Sequence, residues 1–296
     1  MFDVIIPIYR ISKDFLTRCL ESVFDQTFDE YTVYICDGTP TQHQDYDAQA
    51  IVESYGFNYL RQDPLQPLVG GARNQSVSMG SNPYLAFLDG DDYWYDGYLL
   101  EMKKAIKESN KRVKIWSVVL DCEYPLISQF TGATFQRKGL YSHWEDQEFL
   151  ENHPDYAYYW FYGHPPAPTG TVIDREAFLA VGGYDTGLGM GEDTELLMRI
   201  VGDPRKTKPA DRHHYSCLPL IGGFHYVGED NTCSFGTQSG VSLNRSKDEI
   251  KSFFASNSRN FSKNHPQPVK KDLPKPVSES FIETLKGVMR NQIDTL

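Results

Sequence analysis

Tyr84-Leu85-Ala86-Phe87-Leu88-Asp89-Gly90-Asp91-Asp92 is an apolar run that passes straight into acid. The unbroken hydrophobic segment 85–88 predicts a strand buried on both faces, as in parallel sheets. In open α/β sheets, ligands bind just beyond the carboxyl ends of such strands. Asp89, Asp91 and Asp92 crowd three carboxylates at that end. A hard divalent cation, Mg²⁺ or Mn²⁺, would relieve their repulsion and share its oxygen ligands with substrate phosphates. The same four residues also fit a solvated Gly-Asp turn that holds no ion.

The preceding residues alternate strand and helix. The patterns predict strands over 3–8, 31–36 and 57–60 and helices over 14–24, 48–55 and 72–79. Leu16, Leu20 and Val23 share one face of the first helix. That order implies an α/β fold with a mostly parallel, Rossmann-like sheet flanked by helices. Beyond the acidic turn come Tyr93-Trp94-Tyr95, a helix through Leu99, Met102 and Ile106, and a strand over 114–120. A strand over 171–173, a helix over 175–181 and a turn at Gly182-Gly183-Tyr184-Asp185 lead to a helix over 194–201. Glu192 and Asp193 are expected to cap that last helix, where its dipole favours anions.

Residues 121–170 are less regular and rich in aromatics: Trp144, Tyr156, Tyr158, Tyr159, Trp160, Phe161 and Tyr162. Flat rings there fit either a platform for the apolar faces of sugars or ordinary core. From residue 244 onward the balance changes sign, with a charge of about +4 against about −15 for the rest. Residues 247–261 look helical, 266–276 form a proline-rich linker, and Ile282, Leu285, Met289 and Ile293 recur at helical spacing. The expected organisation is a catalytic domain over 1–243, split into a donor half (1–120) and an acceptor half (121–243), then a basic helical extension over 244–296. The final amphipathic helix would dock on the acidic body or pair with a second copy.

Composition excludes several classes. A net charge of −11 in 296 residues argues against general affinity for nucleic acid or anionic membrane. No apolar run approaches the roughly 18 residues of a membrane span, and Met1-Phe2-Asp3 does not open a signal peptide. The five scattered cysteines include no CxxC, so a disulfide framework or a zinc site has no support and a reducing cytoplasm is expected, with peripheral membrane association compatible. Tyr9-Arg10-Ile11-Ser12 follows the first strand without GxGxxG, and neither a P-loop nor a GxSxG elbow with its triad is present.

In order, the motifs resemble inverting glycosyltransferases of family 2, with the GT-A fold, over about residues 2–235. Val4-Ile5-Ile6-Pro7-Ile8-Tyr9 is similar to the family's opening strand, and Cys36-Asp37-Gly38-Thr39 to its Asp-Asp-Gly-Ser, with Cys36 in place of the first acid. Gly71-Ala72-Arg73-Asn74 resembles the helix start near the donor pyrophosphate, and Asp89-Gly90-Asp91-Asp92 the metal motif. Gly182-Gly183-Tyr184-Asp185 with Gly191-Glu192-Asp193 resembles the acceptor-side Glu-Asp motif.

The resemblance implies transfer of a sugar from a nucleoside diphosphate sugar, most often UDP-linked, to a glycan or glycoconjugate hydroxyl. It implies Pro7, Tyr9, Asp37, Arg73, Asp89 and Gly90 on the donor side, and a Mn²⁺ or Mg²⁺ ion held by Asp91 with Asp89 and His225. Asp193 would be the general base, with Glu192 and Trp160 contacting the acceptor. Which carboxylate meets the metal is not assigned, and His213-His214 is an alternative ligand pair. Asp37 also fits a plain Asx turn. Two other readings stand beside the enzyme: a noncatalytic glycan-binding protein of this fold, and a transferase that glycosylates nucleic acid through its basic tail.

Overall fold

A computed structural model describes residues 1–127, 134–141, 157–158, 161, 166–189 and 191–226. The extension over 244–296, Trp160 and most of the aromatic stretch lie outside the described residues. The elements in chain order are β1 (Phe2–Ile8), α1 (Lys13–Phe24), β2 (Tyr31–Asp37), α2 (Ala48–Ser54), β3 (Asn58–Arg61), α3 (Leu68–Met79) and β4 (Tyr84–Phe87). There follow β5 (Tyr93–Trp94), α4 (Tyr98–Glu108), β6 (Val113–Ile127), β7 (Thr134–Tyr141), β8 (Thr171–Asp174), α5 (Arg175–Ala180), α6 (Glu192–Val201) and β9 (His214–Tyr226). Among the described residues no helix is long and apolar enough to cross a membrane.

The strands form one sheet in the order β3-β2-β1-β4-β8-β6-β9-β5, with β7 paired to β6. The expected parallel arrangement holds for β3, β2, β1 and β4. The sheet as a whole is mixed, because β8 runs antiparallel to both β4 and β6. The reason is where β8 starts. A 3-10 turn, Pro168–Gly170, delivers the chain to the carboxyl end of β4, where the Asp89 N–H donates to Thr169 Oγ1 (3.1 Å). A strand entering from that end can only run back towards the amino end of β4, and Arg175 N–H meets the Pro83 carbonyl there at 2.9 Å.

Alternation divides the core into two layers. Val4, Ile6 and Ile8 of β1 face α1 and α4 with Ala86 and Leu88, whereas Ile5 faces α5 and α6 with Leu85 and Phe87. Tyr158 and Phe161 are fully buried in the second layer, so these two of the aromatic stretch serve as core. Ser12 caps α1, its Oγ accepting from the Phe15 N–H (3.3 Å). Pro7 is tolerated inside a central strand because β4 has ended beside it. The Leu88 N–H donates to the Ile5 carbonyl and β4 stops at Phe87, so the missing Pro7 N–H breaks no ladder bond on that side.

Candidate active site

The acidic turn begins where β4 stops. Its closure is local, through the Asp92 N–H and the Asp89 carbonyl (3.0 Å). Glycine is required at position 90: a Cβ there would stand 2.6 Å from Ile8 Cγ2 and 3.3 Å from the Pro7 carbonyl oxygen. Asp92 is fully buried and does not face solvent. Its Oδ2 accepts from the Thr169 hydroxyl and lies 2.9 Å from His225 Nδ1, while its Oδ1 accepts from the Tyr226 N–H (2.7 Å). Asp92 therefore fastens the end of β9 to the turn. Thr169 completes the knot by accepting from the Asp89 N–H and, through its carbonyl, from Trp94 Nε1 (2.6 Å).

Charge is unevenly relieved in this turn. Burial, then repulsion from Asp92 and Asp89, pushes the Asp91 carboxyl up to about 8. Burial alone would lower the His225 pKa, but Asp92 beside it outweighs that effect and raises it to about 9. From below, Arg18 Nη2 donates to the Asp91 carbonyl (2.9 Å), and its guanidinium lies 4.6 Å from the Tyr93 ring centroid.

The second acidic pair opens α6. Gly191 occupies the cap position with φ +74°, a left-handed conformation that favours glycine, so Glu192 and Asp193 are the first two helical residues and not its cap. Glu192 is buried, and burial followed by the nearby Asp193 lifts its pKa to about 7. Asp193 is raised by burial, and the Thr194 N–H (2.6 Å) and Arg73 act in the opposite direction. The preceding loop is pinned at both ends. Arg199 grips Glu195 and donates to the Val181 and Gly183 carbonyls, and Asn74 exchanges two hydrogen bonds of 2.9 Å with the Tyr184 backbone.

Arg73 joins the two acidic groups. Its Nη2 donates to Asp89 Oδ1 at 2.6 Å and its Nη1 to Glu192 Oε1 at 2.8 Å. Its side chain is 3% exposed. Beside Asp193, Phe87, Pro168, Tyr184 and Leu197 line an apolar crevice. Tyr9 is 60% exposed and lies beside Gly38. Asp37 is buried and accepts from the Thr39 N–H (2.7 Å), Tyr59 Oη (2.6 Å), Arg61 Nη1 (2.8 Å) and Gln44 Nε2 (3.2 Å). The Asx turn is thus present and forms part of a larger network.

The structure brings together Pro7, Gly90, Asp89, Asp91, Arg73, Glu192 and His225 of the residues expected from sequence. His213-His214 lie at the opposite end of β9 from His225, outside this site. Thr169 was not anticipated, because Pro168-Thr169-Gly170 carries no motif and its role arises only from packing. Among the described residues no three His, Cys, Asp or Glu side chains stand close enough to hold an ion together. Asp89 turns to Arg73 and Asp92 to Thr169 and His225. Asp91 has no basic partner as close as these, holds its proton up to about pH 8 and, as an oxygen donor, has the chemistry that suits a hard cation.

The model of the glycosyl transferase family 2 domain matches residues 3–162. The amylovoran biosynthesis glycosyltransferase AmsB of Erwinia amylovora is 28% identical over 126 residues, 40% of this chain and 41% of that protein. The Escherichia coli UDP-Glc:alpha-D-GlcNAc-diphosphoundecaprenol beta-1,3-glucosyltransferase WfaP is 29% identical over 94 residues, 32% of this chain and 36% of that protein. The chain thus aligns with less than half the length of these curated relatives. Of the solved structures, S. aureus TarS in complex with UDP-GlcNAc superposes with TM-score 0.58 at 16% identity, covering 96% of this chain and 70% of that one. That likeness shows a shared GT-A-like fold. The family match takes in the acidic turn, Arg73 and Asp37 and spans more than half of the sequence, and the chain belongs to glycosyl transferase family 2.

Proposed function

We propose that this chain transfers a sugar from a nucleoside diphosphate sugar, with UDP as the nucleotide, to a hydroxyl of a glycan or glycoconjugate, inverting the anomeric centre. One observation carries the reading: a single guanidinium bridges Asp89 after β4 and Glu192 at the start of α6, so donor-side and acceptor-side acids meet within its two hydrogen bonds. Family membership supports the donor class, and the named activity of WfaP and the UDP-GlcNAc complex of TarS support UDP as the nucleotide. Participation of AmsB in amylovoran biosynthesis supports a polysaccharide-type acceptor.

In this reading Asp193 removes the proton from the acceptor hydroxyl as that oxygen bonds to the anomeric carbon. The bond from that carbon to the diphosphate breaks on the opposite face, and the diphosphate departs with the electron pair. Glu192 and Trp160 hold the acceptor. Pro7, Tyr9, Asp37, Asp89 and Gly90 frame the donor, with Arg73 behind them. Asp91, Asp89 and His225 are the residues that would hold Mn²⁺ or Mg²⁺. When bound, such an ion neutralises charge that develops on a leaving diphosphate. The elevated Asp91 pKa, caused first by burial and then by repulsion from Asp92 and Asp89, supports a carboxyl whose ionisation a bound cation would favour.

Calorimetry with UDP, GDP and dTDP, each with Mn²⁺, Mg²⁺ or EDTA, tests the proposal. Binding of UDP that requires the divalent ion and disappears in Asp91→Ala is the expected result. No binding of any nucleotide under any of these conditions would overturn it.

A further inference from the structure

Arg73 has no clear access to a ligand. Its side chain is 3% exposed, both terminal nitrogens are engaged by carboxylates, and its guanidinium lies 5.2 Å from the Tyr184 ring centroid. Its Nε is buried with no hydrogen-bond partner among the described residues. The fork geometry matters, since a guanidinium fixes the angle between two acids and an ammonium does not. The helix that carries Arg73 is itself tied to the segment before α6. Asn74, the next residue, clasps the Tyr184 backbone, and a Cβ on Gly70 would come within 3.2 Å of Tyr184 Cβ and 3.8 Å of Glu192 Cγ. Three positions of α3 thus meet the chain that leads into Glu192 and Asp193.

Resting on the proposed function, we propose that Arg73 is a positioning residue which couples the two sides of the site: it acts through Asp89 and Glu192 and makes no contact with donor or acceptor. Its removal misplaces the start of α6 and with it Asp193. Its pairing with Asp89 competes with any cation that draws on the same carboxylate, so occupation of the donor side and the setting of Glu192 are linked through one side chain. A direct contact with the donor diphosphate predicts the opposite balance of effects.

The test compares wild type with Arg73→Lys. Positioning predicts a Kd for UDP with Mn²⁺, by calorimetry, within about threefold of wild type, while kcat for transfer falls about 10²-fold and the acceptor KM rises. UDP affinity weakened tenfold or more in Arg73→Lys, with wild type binding UDP normally, overturns the positioning role and leaves the proposed function standing. Failure of wild type to bind any nucleotide overturns the proposed function and this inference with it.

Should Arg73→Lys fail to fold, Glu192→Gln gives an independent reading. It leaves Arg73 with Asp89 as its charged hydrogen-bond partner, and the expected result is about threefold or more weaker Mn²⁺-dependent UDP binding, although the substitution is on the acceptor side. An unchanged Kd in Glu192→Gln overturns the coupling.

Discussion

The turn Asp89–Asp92 and the first turn of α6 both present adjacent acids, yet they are built in different ways. In the turn, Asp92 is sunk in long-range bonds to Thr169, His225 and Tyr226, and Asp91 is left with repulsion. In the helix, Asp193 takes its support from the next residue, and the helix N-terminus adds a favourable dipole. Arg73 serves one acid of each group. The first arrangement makes ionisation of Asp91 costly until a cation is supplied, which suits a metal ion and a phosphate ligand. The second sets a half-buried carboxyl, whose proton affinity burial raises, beside an apolar crevice, which suits removal of a proton.

The largest expected effect tests that division. Asp193→Asn should lower transfer about 10²-fold or more while UDP affinity stays at the wild-type value. Loss of both together would place Asp193 on the donor side and erase the contrast.

Next in size is the pH response of the turn. The folded Asp91 pKa of about 8 lies above its ordinary 3.8, so the folded state holds this proton more tightly than the unfolded chain does. Its contribution to stability is complete below about 4 and is lost as pH rises through about 8. In EDTA, Tm should fall as pH rises through that window, and Asp91→Asn should flatten the fall. His225, with its raised pKa, adds in the same direction. A wild-type Tm that rises with pH over the same range would contradict the account of Asp91.

Smaller again is Thr169→Val, which removes a donor to Asp92 and an acceptor for the Asp89 N–H. Urea unfolding should show a loss of about 1–3 kcal/mol. Ser12→Ala, at the cap of α1 and far from both acid pairs in role, should cost about 1 kcal/mol and leave kcat unchanged. A drop in kcat with Ser12→Ala would mean that stability, and not placement of acids, limits the reaction.

Legibility followed sequence distance. The first four strands and their helices could be read because alternation and helical spacing are local properties of segments such as Phe2–Ile8 and Lys13–Phe24. The helix through Arg73 began one turn earlier than expected, at Leu68, where no Ser, Thr or Asp marks a start. The strands β5 and β9 escaped notice, since two residues give no period and His214–Tyr226 mixes glycine, proline and aromatic residues. Resemblance pointed to Asp89, Asp91 and Glu192. It could not show that Arg73 bridges residues 89 and 192, because Arg73 and Glu192 are separated by 119 positions. Nor could it separate Asp91 from Asp92, adjacent acids whose fates depend on what packs beneath each.

The knot around Asp92 also has a consequence in time. Ribosomes make the turn at Asp89–Asp92 long before Thr169, and longer still before His225 and Tyr226, so its anchors are separated from it by 77, 133 and 134 residues. During synthesis the parallel strands β1 to β4 can associate early, but the Asp92 carboxylate waits for β9 to arrive. Long loops close slowly relative to local pairing. Among the described residues, the carboxyl end of the sheet is therefore completed only once β9 has been made, and a chain stalled before β9 would leave Asp92 without its partners His225 and Tyr226.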